Sequence, residues 1–197
     1  MTEYTYDVTD VAASAGPTPS QTVGPFFHMA LPYDAGPAVV GPERPGALTL
    51  HGYVYDGEGA GVPDALVEVW QADEEGAFCG TPGVYEEPDA TGFRGFGRSA
   101  TDEHGHYAFT TVRPGAVPTT DGAAQAPHLA MSVFARGMLR RVVTRVYFAP
   151  DDADPLLAAV DEDRRATLLA TRDEGGYRFD VRLQGPDETV FLDVFAR

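Results

Sequence analysis

Lysine is missing from this chain of 197 residues: all 14 basic side chains are arginine, against 30 acidic ones, for a formal net charge of -16. A surface so negative repels phosphate backbones and anionic lipid, which argues against nucleic acid or a membrane surface as partner. Cysteine is nearly missing too. Cys79 stands alone, so no intrachain disulfide and no thiolate metal cluster can form, and a reducing compartment is the expected setting. No window approaches the roughly 20 apolar residues of a membrane span. The first residues, MTEYTYDVTDVAASAGPTPSQT, show neither a basic nor an apolar leader region, so a cytoplasmic protein is expected. A phosphate cradle is missing as well, because GFRGFG lacks the strand-to-helix setting of such loops, and no Ser-His-Asp or Cys-His triad has support.

What is there falls into two parts. Residues 1–47 are rich in Pro, Gly and Ala, and prolines at 17, 19, 25, 32, 37, 42 and 45 forbid continuous ladder pairing. The apolar group Phe26, Phe27, Met29, Leu31 and Tyr33 predicts an arm docked in extended form. From residue 48 onward, strand signals follow one another between Gly, Pro and Asp turns: 48–56, 65–73, 107–112, 128–136, 142–148, 177–184 and 188–195. Between them, 152–172 carries Asp154 as N-cap, Pro155 at the first helical position and a broken apolar pattern, which predicts two short helical turns. The expected fold is mainly β: an antiparallel β-sandwich over 48–197, with a long irregular N-terminal arm over 1–47 and short helices.

The chemistry turns on the stretch APHLAMSVFARG, 126–137. Strand residues two apart project from one face, so a His-x-His pair can grip one metal ion. Here His128 is followed at that spacing by Ala130. The HGH of His104 and His106 has the right spacing but sits at a Gly-centred turn, where a solvated loop is the simpler reading. His28 and His51 read as packing or surface residues, Trp70 as a core aromatic, and Tyr85 as part of a solvated loop.

Taken together, HGYVYDGEGAGVPDALVEVWQADEEGAF, GFGRSATDEHGHYAFTTVRPGAVP, APHLAMSVFARG, TRVYFAPDD and YRFDVRLQG resemble the intradiol ring-cleavage dioxygenases, and the N-terminal TPSQTVGPFFH looks like the arm found in their two-chain members. The resemblance runs from about residue 18 to the C-terminus. It implies a ferric ion held in the catalytic chains by two tyrosines and two histidines, one tyrosine within PG-x-YP and the histidines as His-x-His. This sequence has PGAVP with Val117 at the tyrosine position, and Ala130 at the second histidine. Neither side chain has a donor atom.

The resemblance therefore implies a non-metal α chain: no cofactor of its own, vestigial positions at Val117, His128 and Ala130, and Fe(III) in a β partner. Together the two would cleave protocatechuate between its hydroxyls with O2. Carried over by motif, Thr22, Gly24, Pro25 and Arg136 become the substrate-binding wall. Gly24 permits close backbone approach to a flat ring, and Arg136 offers a planar fork to a ring carboxylate. Eight residues of strand would put Arg136 about 26 Å from His128, free to serve a neighbour's site. The alternative is a non-catalytic β-sandwich binding module, which has no need of the TPSQTVGPFF arm or of VWQAD. A self-sufficient enzyme with unusual ligands is the third reading.

Overall fold

A computed structural model of the chain describes residues 19–24, 26–79, 92–119 and 124–194. Apolar residues alternating with polar ones along the strands build two sheets. The first is centred on β1 (Leu48–Tyr55), which pairs antiparallel with β4 (His106–Thr111) on one side. On its other side β1 pairs in parallel with β10 (Gly176–Arg178) and β11 (Val181–Arg182) in tandem, and β9 (Thr171–Asp173) closes the edge against β10. The second sheet is antiparallel throughout, in the order β3 (Phe96–Ala100), β2 (Leu66–Gln71), β7 (His128–Phe134), β8 (Val142–Tyr147). A two-stranded ribbon, β5 (Val117–Pro118) with β6 (Ala124–Gln125), leads into β7.

The core lies between the sheets. Leu50, Val54, Tyr107 and Phe109 from the first meet Val67, Val69, Leu129, Met131, Val133 and Val146 from the second, all buried. Each such side chain contributes about 1.5–3 kcal/mol by leaving water. One polar link crosses this core: Gln71 donates to the Ala72 and Val112 carbonyls and accepts from the Thr111 hydroxyl, so no polar atom of its amide goes unpaired. A second cluster of Ala126, Tyr147, Leu157 and Leu168 sits under α2 (Pro155–Ala159), whose N-cap Asp154 accepts from the Leu156 and Leu157 amides. The break in the 152–172 pattern is real, since α2 ends at Ala159 and a 3-10 turn follows at Arg165–Leu168.

Three turns share one design, D-x-x-G-x, at Asp56, Asp73 and Asp102. In each, the aspartate Oδ1 accepts from the amides two and four residues on. The glycines, Gly59, Gly76 and Gly105, take φ of 80°, 85° and 83°, a region that only glycine enters without strain.

The structure departs from the sequence reading in several places, and the strand expected over 177–184 is split into β10 and β11. Residues 188–194 form no strand. Their bonds go in turn to Arg182, the Thr144 hydroxyl and Val143, so no single partner supplies a ladder. β3, FGRSA, which is not among the strand runs named above, is an edge strand: Gly97 is needed because a Cβ there would meet Val39 at 2.8 Å and Phe109 at 3.0 Å. Trp70 is no core aromatic but lies on the outward face of its sheet, stacked on Phe78 with ring centroids 5.7 Å apart. Within the arm, a one-turn helix α1 (Phe27–Ala30) forms, and Val39 and Val40 are members of the core. Segment 36–40 bridges the two sheets, with Gly36 accepting from the Arg98 amide of β3 and Pro37 from the Thr110 amide of β4. Tyr85 lies outside the described residues, and among those described no helix is long and apolar enough to cross a membrane.

Candidate functional site

Strand β7 turns Leu129, Met131 and Val133 to the core, which leaves His128, Ala130, Ser132 and Phe134 on the outward face. Register places Trp70 and Glu68 of β2 beside Ala130 and Ser132. Two small side chains between the large rings of Trp70 and Phe134 leave a cleft of 320 Å³, with Phe96 and Arg141 also at its wall. Glu68 is held by Arg98, at 2.6 and 2.9 Å.

His128, on the same face, is not among the residues that line this cleft. Its Nδ1–H donates to the Ala126 carbonyl at 2.8 Å, which fixes the tautomer, and its ring lies 5.6 Å from that of Tyr147 across the β7–β8 ladder. Burial lowers its pKa below the ordinary histidine value; the Ala126 carbonyl opposes that shift and the Arg145 charge adds to it. Burial likewise pushes the Tyr147 phenol up to about 12, so it stays protonated and donates to Asp154 at 3.1 Å. Asp154 is buried, which would raise its pKa. The Leu157 and Ala126 amides, the Tyr147 hydroxyl and the Leu156 amide outweigh burial and hold it below the usual aspartate value.

Arg145 stands directly across from Ala130 in the ladder and donates to the Tyr147 hydroxyl at 3.3 Å. A permanent cation therefore occupies the neighbourhood where a second histidine ligand would be needed. Val117 lies on the ribbon opposite Gln125, close in the chain to His128. With valine and alanine at two of the positions and arginine facing one of them, these residues do not fit a ferric ion. The HGH pair also diverges: His104 is largely exposed beside Glu103, whereas the His106 ring packs on Tyr53 at 5.0 Å and His51 at 5.8 Å.

Of the candidate wall residues, Thr22 meets the turn after β7 beside Arg136. The Gly137 amide donates to Thr22 Oγ1 at 2.9 Å, so the arm docks one residue beyond Arg136. Gln21 and Val23 line a 190 Å³ cleft with Phe134, Met138, Leu139 and Arg141, and this cleft adjoins the first at Phe134 and Arg141. A Cβ built on Gly24 would meet nothing within 4 Å. Pro25 lies outside the described residues. Because β7 ends at Phe134, Arg136 sits in the turn rather than on the strand, with 60% of its side chain exposed and its Nε paired with Asp64.

A family model described as Dioxygenase matches residues 23–185. The protocatechuate 3,4-dioxygenase alpha chain of Burkholderia cepacia is 43% identical over 198 residues, an alignment taking in 90% of this chain and 97% of that one. The chain belongs to the intradiol dioxygenase family. The beta chain of the Burkholderia cepacia enzyme is also similar to this intradiol dioxygenase chain, at 35% over 72% of it and 66% of that chain. Among solved structures, the dioxygenase domain of a dioxygenase carbohydrate-binding protein fusion from Streptomyces sp. SirexAA-E superposes with a TM-score of 0.55 at 27% identity, covering 86% of this chain and 99% of that one. Within the intradiol dioxygenase family, then, this chain is similar to alpha chains along nearly its whole length, and its sandwich is the family's fold.

Sequence reasoning about this intradiol dioxygenase chain missed Arg145, Asp154 as a hub, and Asp64. The first was accessible: once 128–136 and 142–148 are taken as neighbouring antiparallel strands, a period-2 count places some residue of TRVYF opposite Ala130. Asp154 was seen only as a cap, because its bonds to Ala126, 28 residues back, and to the Tyr147 hydroxyl depend on tertiary packing.

Proposed function

We propose that the chain is the metal-free α subunit of a protocatechuate 3,4-dioxygenase. Its β partner holds Fe(III), and the assembly cleaves protocatechuate between its two hydroxyls with O2 to 3-carboxy-cis,cis-muconate. One observation carries this: a chain that is 43% identical to an alpha chain over 90% of its length has Val117 and Ala130, which lack donor atoms, at the two positions where the family resemblance implies metal ligands. Iron supplies oxygen chemistry in the partner, and no step passes through a metal on this chain. What this chain does is bind and orient. Thr22, Gly24, Pro25 and Arg136 form the wall facing the partner's site, with Gly24 open on its Cβ side and the Arg136 guanidinium half in solvent. Residues 1–47 serve as the arm and 48–197 as the sandwich. The assembly is placed in the cytoplasm, where the lone Cys79 stays reduced.

The test is co-expression with a β chain, sizing of the complex, and oxygen uptake on protocatechuate and on plain catechol. Arg136→Ala is expected to lower kcat/KM for protocatechuate about 10- to 150-fold more than for catechol, the range of a charge-assisted hydrogen bond that only the carboxylated substrate can lose. Equal losses on both substrates in an intact complex would rule out the carboxylate role. The same preparation tests the metal assignment: the isolated α chain should bind no stoichiometric iron by elemental analysis, and about one iron per chain would overturn it.

A further inference from the structure

Asp64 is an unusual neighbour for an arginine assigned to a substrate carboxylate. Its side chain is only 10% exposed, while that of Arg136 is 60% exposed, so the pair is a buried acid gripping the inner edge of a half-solvated guanidinium. The closest contact is at Nε, and among the described residues Arg136 has no ion pair with any carboxylate other than Asp64. Asp64 itself is not free to follow a moving arginine. It lies in the turn between β1 and β2, which the buried Thr101 staples from both sides. The Thr101 hydroxyl donates to the Val62 carbonyl at 2.8 Å and accepts from the Ala65 amide at 2.9 Å, and the Thr101 amide donates to the Ala65 carbonyl at 2.9 Å. On the far side, Thr22 of the arm accepts from Gly137.

We propose that Asp64 is a positioning residue. Held by Thr101, it fixes Arg136 at Nε and turns the terminal Nη pair outward as a preset fork for the ring carboxylate of the substrate, a refinement that rests on the subunit assignment above. Physical chemistry favours orientation over energy here. An ion pair with one exposed partner contributes little stability. Locking the long side chain removes rotamer freedom that binding would otherwise have to remove. Only arginine can be used in this way, because its Nε and its Nη pair present donors on two edges of one plane, whereas a lysine ammonium that turned to Asp64 would have nothing left to offer outward.

The experiment compares variants in the size-verified αβ complex, scoring the ratio of kcat/KM for protocatechuate to that for catechol. Asp64→Ala is expected to lower the ratio about 10-fold, with the loss in KM for protocatechuate, the scale of a misplaced binding group. Asp64→Asn keeps an acceptor oxygen and is expected to recover most of the ratio. Arg136→Lys, with Asp64 intact, is expected to lose the ratio as Arg136→Ala does, and it decides the matter if Asp64→Ala does not assemble. An unchanged ratio in Asp64→Ala, or a wild-type ratio in Arg136→Lys, overturns the positioning role while leaving the subunit assignment standing. A wild-type complex with no oxygen uptake on either substrate overturns the subunit assignment and the positioning role with it.

Discussion

His128 shows how a buried histidine can be held in place by the fold alone. Its Nδ1–H is committed to Ala126, and its ring lies against a protonated Tyr147 within reach of the Arg145 and Asp154 charges. A histidine whose folded pKa is depressed contributes stability that is fully present above its unfolded value, near 6.5, and is lost as pH falls through the folded pKa. Urea unfolding of the αβ complex or of a soluble α chain should therefore show stability declining below about pH 6.5. His128→Asn keeps a donor near the Nδ1 position and cannot titrate, so the gap between wild type and variant should narrow as pH falls. Parallel curves would show that His128 is not held neutral.

At the scale of elements, the junction of β1 with β10 and β11 depends on a missing side chain. A Cβ at Gly52 would come within 1.8 Å of the Phe179 carbonyl oxygen, which instead accepts from the buried Tyr107 hydroxyl at 2.5 Å. Asp180 completes the ladder where the backbone turns away, its carboxylate accepting from the Tyr53 amide at 3.1 Å. Gly52→Ala must push two paired strands apart and leave Tyr107 without its acceptor. A loss of at least about 3 kcal/mol is expected in urea or thermal unfolding. A variant that melts within a degree or two of wild type would show that this strand pairing gives way easily. The D-x-x-G-x turns belong to the same scale: Asp56, Asp73 and Asp102 each precede, by three, a glycine at positive φ.

For the whole molecule, the informative surface is apolar and lies on the arm. Phe26 is 71% exposed and Met29 61%, with Leu31 nearby on the chain and Leu139 exposed on the turn that the arm docks against. Phe27 turns inward, to Phe134 at 5.6 Å between centroids, as Val39 and Val40 do further along the arm. Exposed large apolar side chains at a docked arm, on a chain otherwise charged to -16, suit a covering partner. The isolated chain is expected to be poorly soluble, and Phe26→Ser combined with Met29→Ser should make it more soluble while weakening assembly with the β chain on sizing. If the double variant assembles as tightly as wild type, this surface is not where the partner sits.

Period-2 alternation and turn chemistry were enough to place β1, β2, β4, β7 and β8 and the capped α2, because these are local properties written over a few neighbouring residues. The lack of donors at Val117 and Ala130 is equally a matter of composition, and no folding can supply them. Tertiary structure alone decided the rest. FGRSA becomes a strand because Gly97 lets it lie against Val39 and Phe109, while 188–194 stays irregular because its hydrogen-bond partners change along its length. Trp70 faces outward because the register that buries Val69 must expose its neighbour. The pairing of Arg136 with Asp64, 72 positions away, depends on a contact between the turn after β7 and the turn between β1 and β2. Such contacts form only when both sheets close on a shared core, and a one-dimensional pattern carries no record of which turns that closure brings together.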